Sequence, residues 1–285
     1  MERPEKPLVA VCLLTVGDIH PFLKKTFETT AFQEHFRLFI HPKFENQLND
    51  SLRKCCIPRV KRVNTKWGHV SLVDAELSLI SYAYQNSDID YFILLSENHI
   101  PLQPWDKIWE QIKVEWTLKK GRMNLHQASM ERWASLPRPQ IVPLRLFYKH
   151  SQWISFTREI AGFFIQTGNM HIRKFKRMLA PDEHYFICAL LHHNINHREH
   201  FIERATTYVE FPIGSGHAKT FTAITPKYIQ KLIMKRFWFF RKASINCLFP
   251  VDFIRMFFSE SDEVCEVNNE TTVLEAPPVY GGTVI

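Results

Sequence analysis

The chain has 285 residues, of which 45% are hydrophobic and 23% are charged, so a globular core is expected and wholesale disorder is excluded. The formal net charge of +7 suits an anionic partner: a nucleic acid, a membrane surface or a phosphorylated small molecule. Because no run of five or more basic residues occurs, the charge indicates ordinary solvated surface with one anion pocket.

Predicted strands and helices alternate through the first hundred residues. The continuous apolar run at 8–14 predicts a buried strand, and it is far shorter than the ~20 residues that a membrane helix needs. Further strands are predicted at 36–40, 59–63 and 91–95. Helices are predicted between them, at 20–36 and 71–84. This alternation predicts an α/β fold whose mostly parallel sheet is flanked by helices and binds ligands at the carboxyl ends of its strands.

The second half of the chain is less regular. A helix is predicted at 181–193 with Pro181 and Asp182 at its start, and a strand at 207–211. Thr225 is predicted to cap a basic helix. We expect residues 1–258 to form a single domain and residues 259–285 to form a tail.

The amino terminus and the cysteines bear on location. The start of the chain is charged and proline-bearing, and it lacks a signal-peptide layout, so we expect a soluble protein. The six cysteines form no CxxC pair; Cys12 and Cys188 lie in apolar runs and are interpreted as buried thiols.

Five segments, in a fixed order, carry the aromatic and polar residues of greatest chemical interest. They are WGHVSLVDAE at 67–76, YFILLSENHIPL at 91–102, SQW at 151–153 with TR at 157–158, PDEHYF at 181–186, and FFRK at 239–242. In this order and at these spacings, the chain resembles the core-2/I-branching glycosyltransferase family. That family includes β-N-acetylglucosaminyltransferases, peptide O-xylosyltransferases and plant relatives. The resemblance runs from about residue 8 to residue 242.

The resemblance implies a fold and an activity. Members have a modified, Rossmann-type GT-A fold, invert the anomeric centre and work without a divalent metal or another cofactor. The expected reaction moves a sugar from a UDP-sugar to a hydroxyl of a glycan or glycoprotein acceptor. UDP-xylose is narrowly favoured as donor, UDP-N-acetylglucosamine is next and UDP-glucuronic acid is third. A compact member without membrane anchor or stem would suit a microbial or viral enzyme of the cytoplasm.

Glu183 occupies the position of the family's catalytic base. Inversion is a single displacement at the anomeric carbon, and it needs one base within hydrogen-bond reach of the acceptor hydroxyl. The alternative is that Asp182 and Glu183 merely favour the start of a helix through its dipole.

Arg241 and Lys242 are the candidate cations for the diphosphate of UDP. The leaving diphosphate gains negative charge, and without a metal fixed cations must stabilise it. By resemblance Lys242 is the first candidate and Arg241 the second. The alternative is that Lys235, Arg236, Arg241 and Lys242 form a solvated helix face. Asp88-Ile-Asp90 looks like a metal-binding Asp-x-Asp motif but precedes its strand, and is therefore interpreted as a solvated turn.

The remaining candidates lie in predicted loops. Trp67 and Gly68 match an early family motif near the donor, although Trp67 could equally be a core ring. The loop after the strand at 91–95 departs from the animal pattern, in which an Asp lies nearer the Pro. By resemblance the donor-binding candidates are Thr15, Val16, His41, Trp67, Gly68, Ser96, Glu97 and Asn98. Candidates for acceptor or donor contacts are Ser151, Gln152, Trp153 and Asp182.

Three other interpretations stay open at this point. The charge and the aromatic content would also suit a nucleic-acid-binding module, although no binding motif is present and we expect no nucleic-acid partner. A non-catalytic, lectin-like relative is the second alternative. The third is a zinc site on a helix built on His193 and His197, although polar histidines at a helix end are the expected interpretation.

Overall fold

A six-stranded sheet forms the centre of the protein, in a computed structural model that describes residues 6–136, 142–215 and 217–258. The predicted tail at 259–285 lies outside the described residues. The strands are β1 Leu8–Thr15, β2 Phe36–Pro42, β3 Ile89–Ser96, β4 Ile100–Pro101, β5 Gly121–Arg122, β6 Leu125–Gln127, β7 Tyr148–His150, β8 Ser155–Thr157, β9 Phe201–Ile202, β10 Thr207–Val209, β11 Phe221–Ala223, β12 Phe239–Arg241 and β13 Ala243–Leu248.

Helices cover the sheet and connect its strands. They are α1 Pro21–Thr26, α2 Thr30–His35, α3 Asp50–Arg53, α4 Ser71–Tyr84, α5 Trp105–Thr117, α6 Met130–Ala134, α7 Arg158–His171, α8 Tyr185–His192, α9 His197–His200, α10 Pro226–Met234 and α11 Val251–Arg255. Short 3₁₀ helices span Glu45–Gln47, Arg59–Lys61, Leu144–Leu146, Ile172–Phe175 and Pro181–Glu183. None of the helices in the described residues is both long enough and apolar enough to span a bilayer.

The central sheet has the strand order β2-β1-β3-β8-β5-β9. Strand β1 pairs in parallel with both β2 and β3, whereas β8 is antiparallel to β3 and β5. The predicted α/β class with a mostly parallel, helix-flanked sheet is therefore confirmed. The parallel pairing brings the carboxyl ends of β1, β2 and β3 to one edge of the sheet.

The alternation of side chains along β1 explains why the sheet is buried on both faces. Successive side chains of a strand point to opposite faces. Ala10 and Cys12 accordingly join the core on the face that α4, α7 and α8 cover, and Val9 and Val11 join the core formed with α2 and α5. Both faces of β1 are apolar, as the continuous run predicted.

A second, three-stranded sheet carries the late basic segment. Its order is β10-β12-β4, with β12 parallel to β10 and antiparallel to β4. A phenylalanine-rich cluster packs behind it, where Phe22 stacks on Phe253 and meets Phe257 edge-on. This packing fixes β12, and hence Arg241 at its end, against the edge of the central sheet.

Two predicted elements were wrong. The helix predicted at 20–36 is two helices, α1 and α2, because the Thr29 hydroxyl donates to the carbonyl of Thr26 at 2.8 Å and competes with helical bonding. The strand predicted at 59–63 is a 3₁₀ helix, Arg59–Lys61, in which the Lys61 amide donates to the carbonyl of Pro58. Val60 of this turn is almost fully exposed, so the Arg-Val-Lys-Arg-Val alternation reflects no buried strand face.

The later predictions held in part. Helix α4 spans the residues predicted, and the Thr225 hydroxyl caps α10 by accepting from the Tyr228 amide. The helix predicted at 181–193 is instead a 3₁₀ turn, Pro181–Glu183, followed by α8, with His184 between them. Asp182 and Glu183 therefore lie on a separate turn before the helix.

Candidate functional site

A cleft of about 650 Å³ opens at the carboxyl ends of the parallel strands. The ends of β1, β2 and β3 form one side, and the end of β12 and the Pro181–Glu183 turn form others. The predicted site residues that line it are Thr15, Val16, His41, Trp67, Gly68, Ser96, Glu97, Ser151, Gln152, Trp153, Asp182, Glu183, Arg241 and Lys242. The cleft therefore joins the candidate base and the candidate cations in one space.

Asn98 is the predicted donor residue that the cleft does not include. Its side-chain oxygen accepts from the Ser96 hydroxyl at 3.2 Å, and its carbonyl accepts from the Ala243 amide. Asn98 thus contributes to the turn after β3 and to the junction with β13, and its donor contact stays a prediction.

Glu183 is held by two cations that the sequence did not single out. Arg132, in α6, donates to its Oε2 at 2.7 Å, and the Lys149 ammonium lies 3.1 Å from the same oxygen. No described residue donates a hydrogen bond to Oε1 of Glu183. One carboxylate oxygen is thus anchored while the other is left to accept a proton.

The ion pairs decide the charge of Glu183. Burial alone would raise the pKa of this carboxyl, but the Arg132 hydrogen bond and the Lys149 charge outweigh burial and hold the pKa below its usual value. Glu183 is therefore ionised at neutral pH, as a base must be.

His184 completes the support of Arg132. Its Nε2 lies 3.1 Å from Arg132 Nη1, and its Nδ1 lies 2.7 Å from the carbonyl oxygen of Tyr148. Burial lowers the pKa of His184 to about 3, so the ring is neutral at neutral pH and its Nε2 can accept from the guanidinium. The ring also stacks on Phe147 with centroids 4.6 Å apart.

Arg241 is anchored at the end of β12. Its Nε donates to the Ser96 hydroxyl at 3.0 Å, and its guanidinium carbon lies 4.9 Å from the centre of the Trp153 ring. Lys242 follows it and lines the same cleft. The alternative in which these residues form a solvated helix face is wrong, because Phe239–Arg241 is a strand and α10 ends at Met234.

The far end of the cleft is formed by the loops after β1 and β2. Backbone bonds join the two loops: the Lys43 amide donates to the carbonyl of Thr15, and the Phe44 amide to that of Val16. His41 is buried, and its Nε2 accepts from the Val63 amide at 2.9 Å. Val16 is exposed at the cleft wall. His41 therefore braces the loop, and Val16 offers an apolar contact.

Trp67 is not a core ring. It is 71% exposed and lies with its ring centre 5.5 Å from that of His217 across the cleft mouth. Gly68 follows with φ +65°, a left-handed conformation that favours glycine. The Gly68 carbonyl accepts from the Ala180 amide at 3.0 Å, which joins this loop directly to the turn that carries Glu183.

Two neighbouring acids lie at the floor of the cleft: Asp182 lines it, and Glu76 is buried behind it. Gln152 donates to Oε1 of Glu76 at 2.8 Å, and Glu76 lies fully buried on α4. Asp182 is 6% exposed, and α4 packs against its turn. Burial, followed by the charge of Glu183, raises the pKa of Asp182 to about 7. Trp153 is also buried, so its contact is with Arg241 more than with open space.

Sequence reasoning missed Arg132, Lys149 and Glu76. Arg132 belongs to a short helix in the irregular middle segment, where no periodicity marks a site. Lys149 is two residues before Ser151, and its place next to that motif was the one available signal. Glu76 ends the segment at 67–76, and the direction of its side chain depends on how α4 is oriented in the fold, which helical spacing does not give.

The structure separates the residues of the two candidate metal-binding motifs from each other or from the cleft. His193 and His197 do not share a helix, because α8 ends at His192 and α9 begins at His197. Asp88 and Asp90 lie at the amino end of β3, the end opposite to the cleft. Across the part of the chain that the structure describes, no three His, Cys, Asp or Glu side chains are grouped as metal ligands.

Comparison with known proteins assigns the chain to a family. The family model described as Core-2/I-Branching enzyme matches residues 9–233. No individual curated protein matches the chain significantly. The family match includes the strand ends, the Trp67 loop and the Glu183 turn, and it ends before Arg241.

Proposed function

The chain belongs to the core-2/I-branching enzyme family and is therefore a glycosyltransferase with a GT-A-like fold. On this premise we propose that it transfers the sugar of a UDP-sugar donor with inversion of configuration at the anomeric carbon. The observation that carries the proposal is that Glu183 and the Arg241–Lys242 pair line one cleft at the carboxyl ends of the parallel strands. A base and a cationic leaving-group site on either side of a sugar are what an in-line displacement requires.

In the proposed reaction Glu183 acts as general base. The acceptor hydroxyl gives its proton to Oε1 while its oxygen forms a bond to the anomeric carbon. The bond from that carbon to the UDP oxygen breaks on the opposite face, so the configuration inverts. Arg132 and Lys149 keep Oε2 in place through these changes.

Arg241 and Lys242 stabilise the departing UDP. Arg241 is already oriented by Ser96 and Trp153, so little reorganisation accompanies charge development on the diphosphate. Lys242 supplies a second positive charge at the same wall. The loops after β1 and β2 receive the uridine, and Trp67 with Gly68 contacts the sugar side of the donor.

We further propose that these cations take the place of a divalent metal. The loop after β3 offers Glu97 as a lone carboxylate, and burial raises its pKa although Arg241 and Lys242 lie nearby. A lone acid in such surroundings suits a sugar hydroxyl better than a metal ion. Activity is expected to survive EDTA; full loss that Mn²⁺ restores would refute this part.

The donor is proposed to be UDP-xylose, with UDP-N-acetylglucosamine second. Support comes from the Phe239–Arg241 strand and Lys242, whose Phe-Phe-Arg-Lys sequence resembles the xylosyltransferase and plant version of the segment. The acceptor is proposed to be a hydroxyl of a glycan or glycoprotein.

A panel of UDP-sugars tests the proposal, first by thermal shift and then by hydrolysis. The true donor is expected to raise the melting temperature, because a ligand that binds only the native state stabilises it. Glu183→Gln is expected to bind UDP nearly as wild type and to lose hydrolysis by about 10²–10⁴-fold, the usual contribution of a general base. Binding without turnover in the wild type would favour a lectin-like protein instead, and absence of any UDP-sugar binding would overturn the proposal.

A further inference from the structure

Two buried carboxyl oxygens beneath the cleft have no hydrogen-bond partner. They are Oε2 of Glu76 and Oδ1 of Asp182, and they belong to side chains close enough for the charge of one to act on the other. Helix α4, which carries Glu76, packs against the Pro181–Glu183 turn. Unpartnered buried polar oxygens are rare because each loses its hydration without compensation.

A single proton would satisfy both oxygens at once. Two carboxylates in one buried place cannot both ionise easily, and one proton between them replaces repulsion with a hydrogen bond. We propose that Glu76 and Asp182 share one proton, and that this carboxyl–carboxylate bond ties the turn that carries Glu183 to helix α4. Because Glu76 has no access to the cleft, it is a positioning residue that acts through Asp182.

The surroundings of the pair fit one negative charge better than two. The groups that face Asp182 are Glu183, Arg132 and Arg241. Arg132 is already bonded to Glu183, and Arg241 faces the predicted diphosphate site. Glu76 has Gln152 as its partner, and that amide carries no charge.

The pKa shift of Glu76 has the direction that this arrangement requires. Burial, and then the charge of Asp182, raises the pKa of Glu76 well above its usual value, while the Gln152 hydrogen bond opposes the shift. The pair is therefore expected to lose its proton near or above neutral pH, when both carboxyls become charged beside the donor phosphates.

Glu76→Gln is the decisive variant. Gln at this position can still accept from Gln152 and can donate its own amide to Asp182, so it reproduces the hydrogen bonds without a titratable proton. Infrared spectra at pH 6.5 are expected to lose a protonated-carboxyl band in this variant and in Asp182→Asn, which serves if Glu76→Gln folds poorly. Asp74→Asn, on the same helix, is the control and should keep the band of the pair. An unchanged band in both test variants would overturn the proposal.

Thermal melting gives a second readout. An acid with a raised native pKa keeps its proton while the unfolded chain has lost it, so stability falls as pH rises toward the native pKa. The melting temperature of Glu76→Gln relative to wild type is expected to rise by about 2–4 °C between pH 5 and pH 8.5. A difference that stays constant over this range would indicate a purely structural role and refute the shared proton.

The link to catalysis rests on the proposed function and is tested with UDP. Between pH 6.5 and pH 8.5 the UDP affinity of wild type is expected to fall severalfold more than that of Glu76→Gln, because only wild type gains a second negative charge in the floor. If the UDP affinity of both proteins depends on pH in the same way, the charge of the pair does not influence the donor site. If UDP binds neither protein, the proposed function fails, and the infrared and melting results still decide whether the proton is shared.

Discussion

Arg132→Gln should move the acidic limb of the pH–rate profile to higher pH. In the proposed reaction Glu183 must be ionised to act as a base, so activity is expected to fall when the pH drops through its pKa, which Arg132 and Lys149 hold below the usual value. Removing the 2.7 Å bond from Arg132 takes away the strongest of the effects that lower this pKa. The midpoint of the acidic limb is therefore expected to move to higher pH in Arg132→Gln.

The size of the shift follows from the contact. A hydrogen bond to a charged group contributes about 1.5–3 kcal/mol, which corresponds to about 1–2 pH units at 1.36 kcal/mol per unit. Both side chains are partly exposed, at 34% and 22%, and Lys149 remains, so the lower end applies. We expect a shift of about one pH unit.

The assay is kcat/KM for UDP-sugar hydrolysis between pH 3 and pH 8, with folding followed by circular dichroism at each pH. Arg145→Gln is the matched control, since Arg145 is exposed and lies in the neighbouring 3₁₀ helix. An acidic limb that stays in place in Arg132→Gln, or that also moves in the control, would refute the role of Arg132 in setting the charge of the base.

Three further outcomes are expected. Lys242→Ala should weaken UDP binding about tenfold in calorimetry and reduce its salt dependence, whereas the exposed Lys235→Ala should not; equal affinities would remove Lys242 from the diphosphate site. Gly68→Ala should destabilise the protein by about 1 kcal/mol, measured by urea unfolding, because alanine tolerates φ +65° poorly, and an unchanged midpoint would contradict that strain. Glu115→Gln should cost about 3–5 kcal/mol by the same measurement, since it leaves the 1%-exposed Arg122 without its 2.7 Å ion pair; a loss below 1 kcal/mol would show that Arg122 finds other compensation.

The parts of the fold that sequence could predict are those in which local pattern and tertiary burial agree. Helix α4 has apolar residues at helical spacing and is buried on that face, and β1 and β3 are apolar runs buried on both faces. The alternation of valines predicted a strand at 59–63, but Arg59–Lys61 follows a proline and forms a 3₁₀ helix that pairs with no described strand.

The site was predictable to the extent that it lies at strand ends. Parallel strands bring their following loops together whatever lies between them in sequence, and the Lys43 amide after β2 accordingly donates to the carbonyl of Thr15 at the end of β1. The contacts of Glu183 with Arg132 and Lys149 could not be predicted in this way. Arg132 lies in the short helix α6 and Lys149 in the short strand β7, and the positions of such short elements depend on packing and not on periodicity.

The bond between the Ala180 amide and the Gly68 carbonyl has a consequence for how such an enzyme can change. It involves main-chain atoms alone, so the side chain of Trp67 can be exchanged without removing this hydrogen bond. Under the proposed function, the ring at Trp67 could therefore be exchanged to suit another sugar while the bond keeps its loop joined to the turn that carries Glu183. Selectivity for the donor sugar could then change without any change in the turn that carries Glu183.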